Sequence, residues 1–175
     1  MGAALNSAFA SEVAFGALLT AAVVTDVRTR RIPNALVLAL LFTGLVSTGL
    51  LKGSTSVLAS LGASALGLAI WFPFYAFRMM GAGDVKLFAA ASAWLTVQGV
   101  VRAAVLTALL GGVLGVVWFV RAHGVRFSAI RLAHAVQQPS VLRQPLDTIS
   151  PAARLPYGVA MAIALAITAW SVRHP

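Results

Sequence analysis

The sequence predicts an all-α, polytopic membrane protein of about six transmembrane helices. Three observations predict it. The 175 residues are 60% hydrophobic and only 10% charged, with a mean hydropathy of +0.93, whereas soluble domains average about 45–50% apolar and about 25% charged. The apolar residues fall in runs close to the roughly 20 residues that a helix needs to cross a bilayer. The bases sit in the stretches between those runs. The net charge of +9 is therefore a topology signal, and nucleic acid is set aside as a partner. No cysteine is present, which removes disulfides, thiol catalysis and Cys-ligated metals. The opening MGAALNSAFASE has no basic n-region, so it does not read as a cleaved signal peptide. Residues 1–175 are expected to form a single integral-membrane domain.

The first span is expected at about Ala8–Thr25, with Glu12 near its outer end. The second runs over about Ala35–Leu51, opened by Pro33-Asn34, since proline suits a helix start where its missing N–H is not needed. The third covers about Val57–Phe77 and contains Pro73, which neighbouring groups can accommodate in a membrane helix. Val85–Val120 as one helix would be about 54 Å long, too long for a hydrocarbon core of about 30 Å. Gln98-Gly99 and Arg102 suggest a break, giving a short fourth helix, Val85–Val97, and a fifth, Ala103–Val120. The sixth is expected at about Tyr157–Val172.

Lys and Arg orient these spans. Ten lie in the odd-numbered loops: Arg28, Arg30, Arg31, Arg78, Lys86, Arg121, Arg126, Arg131, Arg143 and Arg154. Three lie on the other side: Lys52, Arg102 and Arg173. The positive-inside rule then puts the odd loops in the cytoplasm and both termini outside. In the long loop, VRFSAIRLAHAV reads either as a basic amphipathic helix on the inner membrane surface or as an ordinary basic loop. The segment after it carries Pro139, Pro145 and Pro151 and reads as irregular.

Only four acids occur: Glu12, Asp26, Asp84 and Asp147. Asp26 closes the first helix in VVTDVRTRRIPN, and Asp84 opens the fourth in GAGDVKL. Both belong to the same face. Two carboxylates at close range share one proton, because both cannot easily ionise. One then activates a water and the other donates to a scissile carbonyl oxygen, which is aspartic-protease chemistry. Gly81 and Gly83 leave room for an extended peptide. The helix dipole favours an anion at Asp84 and disfavours one at Asp26, so Asp84 is expected to be the more readily ionised. A plainer alternative stays open: each acid neutralises neighbouring bases, Asp26 with Arg28 or Arg30 and Asp84 with Lys86. A second is a small proton-coupled transporter with Asp26 and Asp84 as carriers, although such acids tend to lie near the midplane. A third is a non-catalytic membrane subunit. There is no H-E-x-x-H or G-x-S-x-G, so metalloprotease and serine chemistry of those types lack support.

Asp26 followed by Ile32-Pro33-Asn34, and then Gly81-Ala82-Gly83-Asp84-Val85-Lys86, resembles the type IV prepilin leader peptidases, polytopic aspartic proteases of the GxGD class. The resemblance covers about residues 14–172. It implies that Asp26 and Asp84 are the catalytic pair, supported by Gly81, Gly83, Lys86, Ile32, Pro33 and Asn34. Pro156 and Gly158 are similar to a Pro-x-Gly element before the last helix in that family. The implied activity removes the leader of a prepilin at the cytoplasmic face of the inner membrane, with no metal and no cofactor. The implied partners are the prepilin, a basic leader followed by a hydrophobic helix, together with the bilayer and the pilus assembly machinery. Larger members carry an N-terminal cytoplasmic region with paired cysteines and also methylate the new pilin N-terminus. This sequence looks like the short, protease-only branch of Flp, or tight-adherence, systems, so methyltransferase activity is expected to be absent. Arg28, Arg30, Arg31 and Lys86 read either as topology signals or as a lure for an acid early in the mature pilin helix.

Smaller features read as structural. Gly111/Gly115 and Ala63/Gly67 are small-residue pairs that let helices approach. Trp71, Trp94, Trp118 and Trp170 are expected at interfaces or between helices.

Overall fold

A computed structural model of the chain describes residues 2–29, 31–123 and 157–173. They form six helices: α1 (Gly2–Thr29), α2 (Asn34–Lys52), α3 (Thr55–Ala76), α4 (Ala82–Ser92), α5 (Val97–His123) and α6 (Tyr157–Arg173). Among the described residues, α1, α2, α3 and α5 are long and apolar enough to cross a bilayer over Phe9–Thr29, Asn34–Lys52, Thr55–Ala76 and Val97–Val117. The predicted all-helical polytopic architecture is what the chain adopts. The segment VRFSAIRLAHAV and the prolines after it lie outside the described residues.

Two compact units divide the chain: residues 1–109 with 156–175, and residues 110–155. The described part of the second is the C-terminal half of α5. The candidate site and the packing around it belong to the first.

Within the first unit α4 occupies the centre. Val85 and every residue from Leu87 to Ser92 are buried, so α4 is covered almost all round, as a helix apolar on every face must be. Its eleven residues reach about 16 Å, too short to cross a bilayer. Small residues bring α3 against it. A Cβ added at Gly67 would collide with Ser92 Oγ and lie 3.3 Å from Phe88 Cδ1, and Ala63 beside it is fully buried. Ser64 Oγ donates to the Ala89 carbonyl at 2.7 Å. The Trp71 ring meets Phe88 edge-on at 5.7 Å. On the α1–α2 side, Trp94 packs on Phe15 at 5.0 Å and donates from Nε1 to the Leu40 carbonyl at 2.8 Å.

The break after α4 falls earlier than predicted. The chain turns at Ala93–Thr96, not at Gln98-Gly99 and Arg102. Thr96 is the reason. Its Oγ1 accepts from the Gly99 N–H at 3.2 Å, satisfying an amide at the start of α5 as an N-cap does. Gln98, Gly99 and Arg102 then continue the helix. Inside the helices, hydroxyls bond back along their own helix, as Thr25 does to Ala21 at 2.9 Å and Thr168 to Ala164 at 2.8 Å. Polar groups in apolar surroundings need such partners. Pro73 is held within α3, whose last turn closes with the Phe77 N–H on the Pro73 carbonyl at 2.9 Å.

Candidate active site

The site forms where α1 ends and α2, α4 and α6 begin. Asp26 stands in the last turn of α1, half-buried. Asp84 stands in the first turn of α4. Gly81 is the N-cap of α4, with extended dihedrals of −72° and 145°. Asp84 is therefore the third helical residue, from which a carboxylate reaches back to the N-cap amide. A hydrogen bond from the Gly81 backbone to Asp84 is made in that way.

Gly158 shows how the two acids meet. A Cβ added there would lie 2.7 Å from Asp26 Oδ2, 3.3 Å from its Cγ and 3.5 Å from Asp84 Oδ1. The two oxygens are thus no farther apart than 2.7 Å and 3.5 Å laid end to end, about 6 Å. Gly158 is buried, so nothing larger than a hydrogen fits between α6 and the carboxylates without moving them. The first turn of α6 is the floor on which residues 26 and 84 converge.

The remaining motif residues separate into two groups. Ile32 is at the site: its Cβ, Cγ1 and Cδ1 lie 3.5–3.7 Å from where a Cβ on Gly83 would be, so it lies against the first turn of α4. Pro33 and Asn34 are exposed. Pro33 is the N-cap of α2, and its carbonyl accepts from Leu36 N at 3.1 Å and Val37 N at 3.3 Å. They start a helix, which holds Ile32 where it is. Lys86 is exposed, and the charge that acts on Asp84 is that of Asp26. Pro156 and Arg30 lie outside the described residues. Tyr157 was missed by the sequence reasoning. It is the residue between Pro156 and Gly158, it packs against the core, and it lies within electrostatic range of Asp84.

At Asp84 burial works against the helix dipole. The helix dipole was expected to keep it ionised. Burial instead pushes its pKa up to about 7, with the Asp26 charge adding to the rise and the Gly81 hydrogen bond opposing it. The magnitudes explain the outcome. A helix end supplies about 0.3–1 kcal/mol at an exposed site, whereas each pKa unit represents about 1.4 kcal/mol. Loss of water around the carboxyl is the larger effect. Asp84 is thereby suited to hold a proton near neutral pH.

An all-helical membrane fold with two facing carboxylates at the ends of its helices is thus the class of protein that the chain represents. The sequence model of the type IV leader peptidase family matches residues 13–118, and the chain belongs to that family. It is similar to three proteins named prepilin leader peptidase/N-methyltransferase. The one from Xanthomonas campestris is 32% identical over 99 residues, 53% of this chain and 34% of that protein. The one from Pectobacterium carotovorum is 36% identical over 103 residues, 54% and 36% of the two chains. The one from Aeromonas hydrophila is 36% identical over 106 residues, 57% and 36%. The matched stretch spans about a third of the length of these relatives. No solved structure matches the chain at a significant level.

Proposed function

We propose that this chain is a membrane aspartic endopeptidase that removes the leader of a prepilin, with Asp26 and Asp84 as its catalytic pair. The observation that carries this reading is the convergence of both carboxylates on Gly158. Membership of the leader peptidase family supplies the reaction class. In the proposed cycle the pair holds one proton, on Asp84. Asp26 takes a proton from a water, whose oxygen attacks the scissile carbonyl carbon while Asp84 gives its proton to the carbonyl oxygen. The tetrahedral intermediate then collapses. The proton on Asp26 passes to the leaving nitrogen as the C–N bond breaks, and Asp84 recovers its proton from the intermediate's hydroxyl. This is general acid–base catalysis by two groups whose surroundings drive their pKa values apart.

The substrate we propose is an Flp-type prepilin, presented with its basic leader on the cytoplasmic side of the inner membrane. The charge bias of ten Lys and Arg against three supports that sidedness and supports termini on the outer side. Pilus assembly components are proposed as further partners. Methyl transfer is proposed to be absent, in keeping with the lack of cysteine. Acids in the last turn of α1 and the first turn of α4 favour a protease at the membrane edge over a transporter with carriers near the midplane.

The test is to reconstitute the protein with an Flp-type prepilin and to identify the products by mass spectrometry. Cleavage at the junction of leader and hydrophobic helix, with an unmethylated new N-terminus, is expected. An intact prepilin would set the substrate aside, and a methylated product would overturn the protease-only part.

A further inference from the structure

We propose that the open groove between α1 and α6 seats the hydrophobic helix of the substrate and delivers its N-terminal end to Asp26 and Asp84. This deepens the prepilin reading and rests on it. Exposed apolar side chains alone carry no such inference, since lipid-facing helices show them everywhere. Three particulars of this groove do.

The first is its shape. A concave space of about 530 Å³ lies between the two helices, several times a side-chain-sized cavity of about 150 Å³. Gly16 lies in it, and a Cβ added there would have nothing within 4 Å. Phe15 and Leu19 on α1 and Ala162 and Ala169 on α6 are buried at its base. Small residues at a helix seam let backbones approach, yet here the space at Gly16 is left open.

The second is its direction. On α1 the lining runs from Phe9 and Val13 through Gly16 and Leu19 to Val23, with Glu12 and Thr20 as its polar members, and Asp26 lies within one turn beyond Val23. On α6 it begins at Val159, the neighbour of Gly158. The groove therefore ends within one turn of Asp26 on α1 and one residue from Gly158 on α6. From Phe9 to Val23 is about 21 Å along α1, and Asp26 lies about 4.5 Å beyond, less than one turn. A helix lying in the groove would have its first turn beside the pair, so a bond just ahead of that helix is the one within reach.

The third is the contrast with a second apolar groove, between α1 and α2. It is lined by Ala10, Ala14, Phe42, Val46, Leu50 and Trp94, among others. It ends at Ala14 on α1, three turns short of Asp26, and an occupant there would not meet the site. An acyl chain would suit the apolar residues of either groove. Only the first offers a hydrophobic helix continuity with the reacting groups.

The experiment places a photo-crosslinking amino acid at Ile163, on the rim of the first groove, or at Val46, in the second, in the Asp84→Asn protein reconstituted with an Flp-type prepilin. In parallel, Gly16→Trp is made in the active protein, with Gly62→Trp on α3, where an added Cβ also meets nothing within 4 Å, as its control. The expected results are prepilin crosslinks from 163 and none from 46. Cleavage by Gly16→Trp is expected to fall at least tenfold, through KM, with Gly62→Trp near wild type. Crosslinks from 46 alone, or to lipid alone, would overturn the inference. So would wild-type KM in Gly16→Trp. In either case cleavage by the wild type would leave the peptidase reading standing. A wild type that cleaves no prepilin would overturn both.

Discussion

The α3–α4 seam and the α1–α6 seam use the same residue types to opposite ends. At the first, Gly67 and Ala63 bring α3 so close to α4 that Ser92 fills the space where a side chain on residue 67 would stand. At the second, Gly16 faces empty space, while Gly158 one helix end away is pressed against Asp26. A small residue thus has no single meaning. It permits contact in one seam, leaves a groove in the next, and at Gly158 makes room for two carboxylates.

A glycine-to-alanine series probes that comparison with one carbon per position. Gly158→Ala is expected to have the largest functional effect. Its Cβ would sit 2.7 Å from Asp26 Oδ2, so the carboxylate must move, and a displacement of about 1 Å costs on the order of 100-fold in rate. Leader cleavage should fall by about that factor while circular dichroism and membrane insertion stay normal. An active Gly158→Ala protein would remove α6 from the site.

The pH profile sharpens the same region. If Asp84 supplies the proton, its pKa of about 7 sets the upper limb. Below about 7 Asp84 keeps its proton; above it the proton is lost, and cleavage should fall about tenfold per pH unit. A rate still rising above pH 8 would mean that Asp84 works ionised, as the helix dipole alone would have it.

Gly67→Ala and Gly44→Ala address the closed packing. At 67 the added carbon meets Ser92, and at 44 it meets Trp94 Nε1 at 2.6 Å, where the indole is held by the Leu40 carbonyl. Each is expected to destabilise the protein by about 1–3 kcal/mol, the usual cost of overpacking, read as a lower denaturation midpoint in detergent. The smallest effect belongs to Gly16→Ala, within about 0.5 kcal/mol of wild type. If Gly16→Ala proved as costly as Gly67→Ala, the two seams would not differ.

Much of this was legible in the sequence because composition and run length constrain a membrane chain strongly. The spans of α1, α2 and α3 and the helical start of α6 follow from apolar runs and from Pro33. The Val85–Val120 stretch was rightly divided into a short and a longer helix but broken too late, because the eye falls on Gln98, Gly99 and Arg102 while the determining group is the hydroxyl of Thr96, which caps α5. That the short α4 is buried was hidden, because an apolar run looks alike whether it faces lipid or protein. The pairing of residues 26 and 84 was suggested by motif order, and only the packed ends of α1, α4 and α6 show them meeting at Gly158. The charge state of Asp84 was not legible at all. The dipole can be read from its place at a helix start, but its burial comes from other elements.

The central claim is that residues 26 and 84 act as one unit. The most direct measurement compares leader cleavage by Asp26→Asn, Asp84→Asn and the double variant, each shown to insert. Groups that work together are strongly non-additive, so each single variant is predicted to fall to the background of the double variant, at least about 1000-fold below wild type, within the range of losses seen when a member of such a unit is removed. Either single variant cleaving at more than about a tenth of the wild-type rate would contradict the account.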